Sequence, residues 1–415
     1  MNYYPFPDNK IWKTVFFAMM AILLLVNRDS MMSMVAWGFY PCQALTLGLI
    51  GAAGIAFLTV NRGRLEDILT DKRMLLAVVS AAVLLIPMVV KQDWQLMYVS
   101  ILICLLFGIF VSYFLELKDM ARCYVVVLSA FAAYSLLALY VLRPLTDAGI
   151  LQPQVIATSR GRELYHYGLS FVSLVEVKNR NFGLFREPGV YQYFILLGLY
   201  LNNYETNWEK PKTLWLLNIL LAVTMLSTFA TGGVLELGLF AVVLFFDKKW
   251  YKEKKACILA AVLVLAAAAL VGYCIAAKNG LYWALYEMTM KVVHNPESVG
   301  ARVGSIGAGV EIFFQYPLFG TTVRNVLHAV VDNTSSTLIL YGIFGILGGS
   351  LNVLAWACLV WQKERKLWAN LALLVIMFMS FNTQNLTWNL FFWLFPMMAL
   401  CQKGLPLLET LRKRG

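Results

Sequence analysis

The stretch Asn179-Arg-Asn-Phe-Gly-Leu-Phe-Arg-Glu-Pro-Gly189 concentrates charged and turn-forming residues in a chain that is otherwise very apolar. It holds two arginines, Arg180 and Arg186, and one carboxylate, Glu187, and an apolar run opens directly after it at Val190. Polar residues that stand immediately before a long apolar segment are typical of the rim of a membrane-embedded site. The stretch therefore predicts a membrane protein with a polar site at the mouth of a spanning helix.

The overall composition indicates a polytopic membrane protein. Hydrophobic residues make up 60% of the 415 residues and charged residues only 14%, and the mean hydropathy is +0.69. Soluble globular proteins do not reach these values. The chain has a net charge of +11, and many of its basic residues are clustered in short loops between apolar runs. The positive-inside rule of membrane proteins accounts for such clusters, so they do not indicate nucleic-acid binding. The seven cysteines lie in or beside apolar runs and indicate neither a disulfide framework nor a thiolate metal site.

Twelve apolar runs could each form a helix across a bilayer, whose core of about 30 Å needs about 20 helical residues. The runs cover residues 11–26, 36–60, 74–90, 95–115, 123–142, 189–203, 213–229, 232–246, 256–277, 336–360, 367–381 and 387–402. The first run lacks a small-residue cleavage site after it, so we expect it to be a retained anchor. We predict an all-α protein with a single transmembrane domain over residues 1–415.

The distribution of Lys and Arg predicts the orientation of this domain. Alternate connections, taken with both termini, carry 22 of these residues, whereas the short connections on the opposite side carry only Arg28 and Lys91. The positive-inside rule then places both termini in the cytoplasm. The other ten basic residues lie in two long segments, 143–188 and 278–335, which we expect to be extracytoplasmic loops. All three histidines lie in these segments, so function is expected outside the membrane.

The first long segment contains a group of cations suited to a phosphate ligand. These cations are Arg160, Arg162, Lys178, Arg180 and Arg186. Clustered arginines at a bilayer surface suit a diphosphate, because a guanidinium offers paired donors to phosphate oxygens. Glu187 is either a catalytic carboxylate or a helix cap, since acidic residues favour a helix N-terminus and Pro188 favours the first turn. Both roles remain open from the sequence.

The second long segment and the apolar runs hold further candidates. Arg302 and Arg324 are additional cations, and each is by default part of a solvated face. For Asp332, capping of the following helix is the favoured role, and the lone His328 is favoured as an ordinary loop residue. Glu236 lies within an apolar run, where an ionisable side chain is a functional candidate unless it is close enough to the surface to stay hydrated.

Two helical stretches are predicted inside the second long segment. Residues 281–293 form an amphipathic pattern that indicates a helix along the membrane interface. The next stretch begins at Ala301 and is expected to end near Pro317, where Pro and the following Leu-Phe-Gly stop a helix.

The outward segments contain no sequence pattern for a metal or a nucleotide. Asp-x-Asp, His-x-x-x-His and Cys-x-x-Cys pairs are absent from them. The chain also lacks a Gly-x-x-x-x-Gly-Lys loop and a Gly-x-Ser-x-Gly elbow. We therefore predict a site that uses neither a metal nor another cofactor, and we exclude nucleotide-driven motors and common serine hydrolases.

Three separated motifs carry a resemblance to a known superfamily. They are Arg180-x-x-Gly183-x-Phe185-x-x-Pro188, then Arg302 followed by Pro317-Leu-Phe-Gly320, then Asp332-Asn333 followed by Gly342-Ile-Phe-Gly345. With the topology, they resemble motifs of the Wzy-type oligosaccharide repeat-unit polymerases and the related O-antigen ligases. Asp332 stands where the ligases have a histidine, and Glu187-Pro188 is more typical of the polymerases. The resemblance therefore favours a polymerase.

The resemblance implies a glycosyltransferase of the GT-C type that joins oligosaccharide repeat units carried on undecaprenyl diphosphate, at the outer face of the bacterial inner membrane. The candidates to hold the donor diphosphate are Arg160, Arg180, Arg186, Arg302 and Arg324. The acceptor hydroxyl needs a base, for which Glu187 stands ahead of Asp332 and His328. The implied partners are the lipid-linked donor and acceptor, membrane lipid, a chain-length regulator and a flippase, with no nucleic acid.

Two alternatives remain open at this point. An O-antigen ligase would use the same donor and arginines but a different acceptor. A lipid-oligosaccharide flippase or another polytopic transporter is the non-enzyme alternative, because twelve spans is a common number among transporters. The predicted long segments lie outside, whereas residues 204–212 in the middle of the chain form only a short connection, which argues against a major-facilitator transporter.

Overall fold

The computed structural model of the chain describes residues 10–158, 163–174, 180–278, 296–329 and 335–407. Its α-helices, named α1 to α16 in chain order, are Lys10–Leu25, Phe39–Val60, Leu65–Thr70, Lys72–Val90, Leu96–Val111, Leu117–Leu137, Arg143–Asp147, Pro188–Tyr204, Pro211–Ser227, Thr231–Asp247, Lys254–Ala277, Pro296–Gln315, Val323–Ala329, Ser336–Val360, Leu367–Asn382 and Leu390–Ala399. Short π-helical turns at Ala138–Leu142 and Leu400–Gly404 continue α6 and α16. The predicted interfacial helix at 281–293 lies outside the described residues.

The helices include several that suit a membrane. By length and composition alone, five in the described ranges could cross one: α2, α4, α6 with its continuation to Asp147, α14, and α16 with its continuation to Leu407. Four shorter apolar helices lie within α1, α5, α9 and α15. Each of the twelve predicted apolar runs overlaps one of these helices. The length and apolar composition of these helices support the predicted class, a helical membrane protein. The number of crossings stays a prediction.

The centre of the bundle is α8, which is buried on nearly all its faces. A helix without a polar face is suited to such an interior position. It packs against α6, α9 and α10. At Gly198 a Cβ atom would lie 2.7 Å from Cδ2 of Leu128 in α6, and at Gly108 in α5 it would lie 2.8 Å from Cβ of Met397 in α16. These glycines allow the helices to approach closely, as small residues do at membrane helix crossings.

The segment 143–188 contains a small antiparallel sheet that the sequence did not predict. Strands β1 Gln154–Ala157, β2 Glu163–His166, β3 Phe171–Ser173 and β4 Asn181–Gly183 are paired in the order β1-β2-β3-β4. The register pairs Val155 with Tyr165, and Tyr165 with Val172. Strands of three or four residues are too short for a two-residue period to stand out from the surrounding sequence. The sheet packs on Met31 and Met32, which follow α1.

The connections between helices meet in two groups, one at each end of the bundle. Hydrogen bonds of the first group join Asn389 to Asp29, Lys91 to Thr321, Arg180 to Thr228 and Ser335 to Asn382. Contacts of the second group join Arg122 to Thr206, Lys403 to Glu205, Gln362 to Tyr204 and Arg365 to Asp247. Both predicted long segments contribute to the first group. The described candidate residues outside the apolar runs therefore lie at one end of the molecule.

Helix α14 is broken at Gly345, whose φ of 63° and ψ of −157° are not helical. Residues 317–321 fill the break: the Thr321 N–H donates to the Gly342 carbonyl, and the Ile346 N–H donates to the Pro317 carbonyl, both at 2.7 Å. The two glycine-containing motifs singled out in the sequence, 317–320 and 342–345, are thus packed against each other. The helix expected to end near Pro317 ends at Gln315.

Candidate functional site

The candidate site is built around Arg186, between β4 and α8. Its Nε donates to Oδ1 of Asp29 at 2.8 Å, and its backbone N–H donates to the Asp29 carbonyl at 3.0 Å. The other carboxylate oxygen of Asp29 accepts from Nδ2 of Asn389 at 2.7 Å. The Asp29 side chain is 9% exposed and that of Arg186 is 24% exposed. A buried carboxylate therefore holds one edge of a guanidinium that still reaches the surface.

Two asparagines hold Asp29 in place. Asn27 and Asn389 exchange side-chain hydrogen bonds of 3.3 and 2.8 Å. Oδ1 of Asn27 also accepts from the backbone N–H of Asp29, the local turn that asparagine favours after a helix. Oδ1 of Asn389 caps α16 by accepting from the Phe391 N–H at 2.9 Å. These bonds tie the end of α1 to the start of α16 beneath Arg186.

Glu187 stands at the N-terminus of α8, next to Arg186. Its Oε1 lies 3.7 Å from Nη1 of Arg186, and its side chain is 20% exposed. Its backbone carbonyl accepts from the N–H groups of Val190 and Tyr191, so the helix starts here, and Pro188 occupies the first turn as predicted. The Glu187 side chain makes no capping hydrogen bond. Glu187 is therefore the N-cap residue of α8 in position, without a capping hydrogen bond from its side chain, and its catalytic role stays a prediction.

The charges around Arg186 keep it protonated. Burial acts to lower the pKa of Arg186, but the nearby charges of Asp29 and Glu187 outweigh burial, and the pKa is raised. Within the described residues, its two Nη groups donate no hydrogen bond, since the only contact there is the 3.7 Å ion pair. The guanidinium is thus fixed at Nε and offers its Nη donors to a ligand.

Arg180 lies against the neighbouring connection between α9 and α10. Its Nε donates to the Thr228 carbonyl at 3.2 Å. Below it, Gln192 of α8 donates to Oγ1 of Thr228 at 3.1 Å and to the Ala230 carbonyl at 2.8 Å. Glu236 of α10 is buried at 2% exposure, and its Oε2 has no hydrogen-bond partner in the described part of the chain. Polar groups thus continue from the rim into the bundle along α8 and α10.

The remaining predicted site residues are placed only in part. Arg324 and His328 have exposed side chains on α13, which packs against α12 and α14. Arg302 lies in α12, and its side chain is outside the described part, as are Arg160 and Asp332. That these five residues act together with Arg186 and Glu187 stays a prediction.

The structure adds three residues that the sequence did not single out, Asn27, Asp29 and Asn389, and it gives Arg28 a place beside them. The available signals were the polar triplet Asn27-Arg28-Asp29 directly after α1 and the amide-rich run 382–389 between α15 and α16. Amides in short connections usually form turns, so they do not by themselves indicate a site. Pairing of residues 360 positions apart in the chain could not be predicted from these patterns.

Within the described residues, no group of three or more His, Cys, Asp or Glu side chains is placed to hold a metal ion. Comparisons of the chain with models of protein families, with curated proteins and with solved structures found no match. The resemblance to polymerases and ligases therefore rests on the motifs quoted above, and function is inferred from the site itself.

Proposed function

We propose that the protein is a glycosyltransferase that joins undecaprenyl-diphosphate-linked oligosaccharide repeat units into a polysaccharide at the outer face of the bacterial inner membrane. One observation carries the proposal: Arg186 is fixed by the buried Asp29 while its Nη groups lie beside Glu187 at the start of α8. The three motifs of the sequence support the same chemistry as a resemblance. No metal is required by this arrangement.

Arg186 is suited to hold the leaving group. As the bond between the anomeric carbon and the diphosphate breaks, negative charge develops on the phosphate oxygens. Donors that are already held in position stabilise such charge without reorganising during the reaction. Because Nε is occupied by Asp29, Nη1 and Nη2 are the donors left for the phosphate oxygens. The N-terminal end of α8 adds a partial positive charge at the same place.

Glu187 is suited to be the general base. The acceptor hydroxyl oxygen attacks the anomeric carbon, the bond to the diphosphate breaks, and undecaprenyl diphosphate departs with the bonding electrons. The hydroxyl proton passes to the Glu187 carboxylate. Its Oε1 lies 3.7 Å from Nη1 of Arg186, so a donor held by Arg186 would have its reacting carbon near the base. Asp332 and His328 remain the second and third candidates for this role.

The test uses purified protein and one defined lipid-linked repeat unit. We expect products with two or more units, together with released undecaprenyl diphosphate. Glu187→Gln keeps the shape of the side chain and removes its basicity, so turnover should fall by about 10² to 10⁴-fold. Glu209→Gln is the matched control, because Glu209 is exposed in the connection between α8 and α9, and it should keep normal turnover.

The possible outcomes separate the alternatives. No glycosidic product from the lipid-linked unit, combined with normal polymer in a deletion strain, would refute the proposal. Transfer of one unit to a different acceptor without chain growth would favour a ligase. Near-normal turnover of the Glu187→Gln protein, with an inactive Asp332→Asn protein, would move the base to the second long segment.

A further inference from the structure

Arg28, between α1 and α2, lies against two aromatic rings. Its Cζ lies 5.4 Å from the ring centroid of Phe39 and 5.1 Å from that of Trp388. Phe39 begins α2, and Trp388 directly precedes the Asn389 that binds Asp29. Cation–π contacts of this kind fix the plane of a guanidinium and leave its donors directed along the edges.

The guanidinium of Arg28 makes neither a hydrogen bond nor an ion pair with any residue in the described ranges, although it is half-buried. Its neighbour Asp29 is already engaged by Arg186 and Asn389. Burial lowers the pKa of Arg28, and the charge of Asp29 opposes this change. Within the described ranges the five N–H donors of this cation thus have no protein acceptor, and none of its nitrogen atoms is among the fully buried unpaired ones, so they are accessible to a ligand.

Stacked arginines elsewhere in the chain do have acceptors. Arg122 lies over Trp208 at 5.7 Å, and its Nε and Nη2 donate to the carbonyls of Thr206 and Asn207 at 2.6 and 2.5 Å. The missing acceptors at Arg28 are therefore not a general feature of stacking here. A second donor beside Arg28 is also unfilled, because Nε1 of Trp388 is buried and has no partner in the described part of the chain.

The geometry points to Arg28 as a second anion-binding residue, which together with Arg186 takes the phosphate groups of a lipid diphosphate. The assignment to the lipid-linked donor rests on the proposed function. Asp29 and Glu187 both lie beside Arg186, whereas Arg28 forms no ion pair within the described ranges, and the edge of its guanidinium matches two phosphate oxygens. Exposed aromatic side chains at Trp37, Phe39 and Tyr40 adjoin the site. Such side chains suit a membrane interface and the hydrocarbon chain of a lipid.

The experiment measures binding of radiolabelled farnesyl diphosphate to the purified full-length protein. Arg28→Gln should raise Kd roughly 10- to 100-fold, the effect of losing charge-assisted hydrogen bonds. Arg28→Lys should have an intermediate Kd, since it keeps the charge but not the planar fork. Phe39→Leu, which removes one stacking ring, should raise Kd by a smaller factor. Arg122→Gln is the control from the other end of the bundle and should bind like the wild type.

Unlabelled inorganic diphosphate, added as a competitor, tests whether the lipid chain contributes. We expect it to displace the probe only at much higher concentration than unlabelled farnesyl diphosphate does. Equal displacement would overturn the assignment to a lipid, and a wild-type Kd for a correctly folded Arg28→Gln protein would overturn the role of Arg28. Absence of farnesyl diphosphate binding to the wild type would also overturn the role of Arg28. Arg28-dependent binding without glycosyl transfer would refute only the proposed function, whereas transfer with unchanged binding by Arg28→Gln would refute only this inference.

Discussion

At the scale of single residues, Asp29 is the charge on which the position of Arg186 depends. Asp29→Asn keeps the size of the side chain but leaves a partly buried guanidinium without its main counter-charge. Breaking a fully buried pair costs about 3 to 5 kcal/mol, and the partial exposure of Arg186 reduces this to about 1 to 3 kcal/mol. We expect a lower Tm for this variant by thermal unfolding in detergent. Asp119→Asn, which removes an exposed 3.8 Å pair with Arg122, should melt like the wild type.

A second residue-scale prediction concerns Arg186 itself. Arg186→Lys keeps the charge but loses the Nε–H that binds Asp29 and the paired Nη donors. We expect much less polymer, measured on gels from a deletion strain that expresses the variant at normal membrane levels. Arg62→Lys, at an exposed site in the other group of connections, should restore polymer fully. Wild-type polymer from an Arg186→Ala protein would exclude a role in holding the donor.

At the scale of elements, the break in α14 requires glycine at position 345. Gly345 has a positive φ, and a Cβ atom there would overlap the Leu318 carbonyl. We expect Gly345→Ala to lower Tm clearly, since the strain of φ > 0 alone costs about 1 kcal/mol and residues 317–321 must also move. Gly307→Ala is the control, because Gly307 lies in α12 with no atom near its Cβ position. Equal Tm values for the two variants would show that the break tolerates a side chain.

Lys91, in the connection between α4 and α5, binds backbone carbonyls at the same break in α14. Its Nζ donates to the carbonyls of Thr321 and Ile343 at 2.9 and 2.5 Å. Burial lowers the pKa of Lys91 to about 8, against the opposing effect of Asp93. Between pH 8 and the ordinary value of 10.5 the unfolded chain keeps a proton that the folded protein has released. The contribution of Lys91 to stability therefore rises with pH in this window and is constant below it.

The measurement is the Tm difference between the wild type and Lys91→Met across this pH range. It should grow with pH above about 8 in favour of the wild type. Lys210→Met, which changes an exposed lysine in the other group of connections, should show no such trend. A pH-independent difference for Lys91→Met would mean that Lys91 titrates normally in the folded protein.

At the scale of the whole molecule, the sequence predicted the helices better than the site. Apolar runs such as 336–360 and 256–277 match their helices to within two residues, because burial in lipid or in the bundle demands continuous apolar sequence. The sequence also placed Arg186 and Glu187 together at the mouth of α8. The role of Asp29 could not be predicted, because it arises from pairing with residues far along the chain. The strands around Phe171 were missed because each is too short to show a period.

The orientation of the molecule is the remaining prediction at this scale, and it follows from the uneven distribution of basic residues. Ala148 is exposed beside the sheet, and Lys210 is exposed in the other group of connections. In a cysteine-free background, Ala148→Cys should react with a membrane-impermeant maleimide in intact spheroplasts, and Lys210→Cys only after permeabilisation. The opposite pattern would place Arg186 and Glu187 on the cytoplasmic side. The bundle and its contacts would then stand unchanged, but a polymerase acting at the outer face would be excluded, because its lipid-linked substrate could not reach the site from that leaflet.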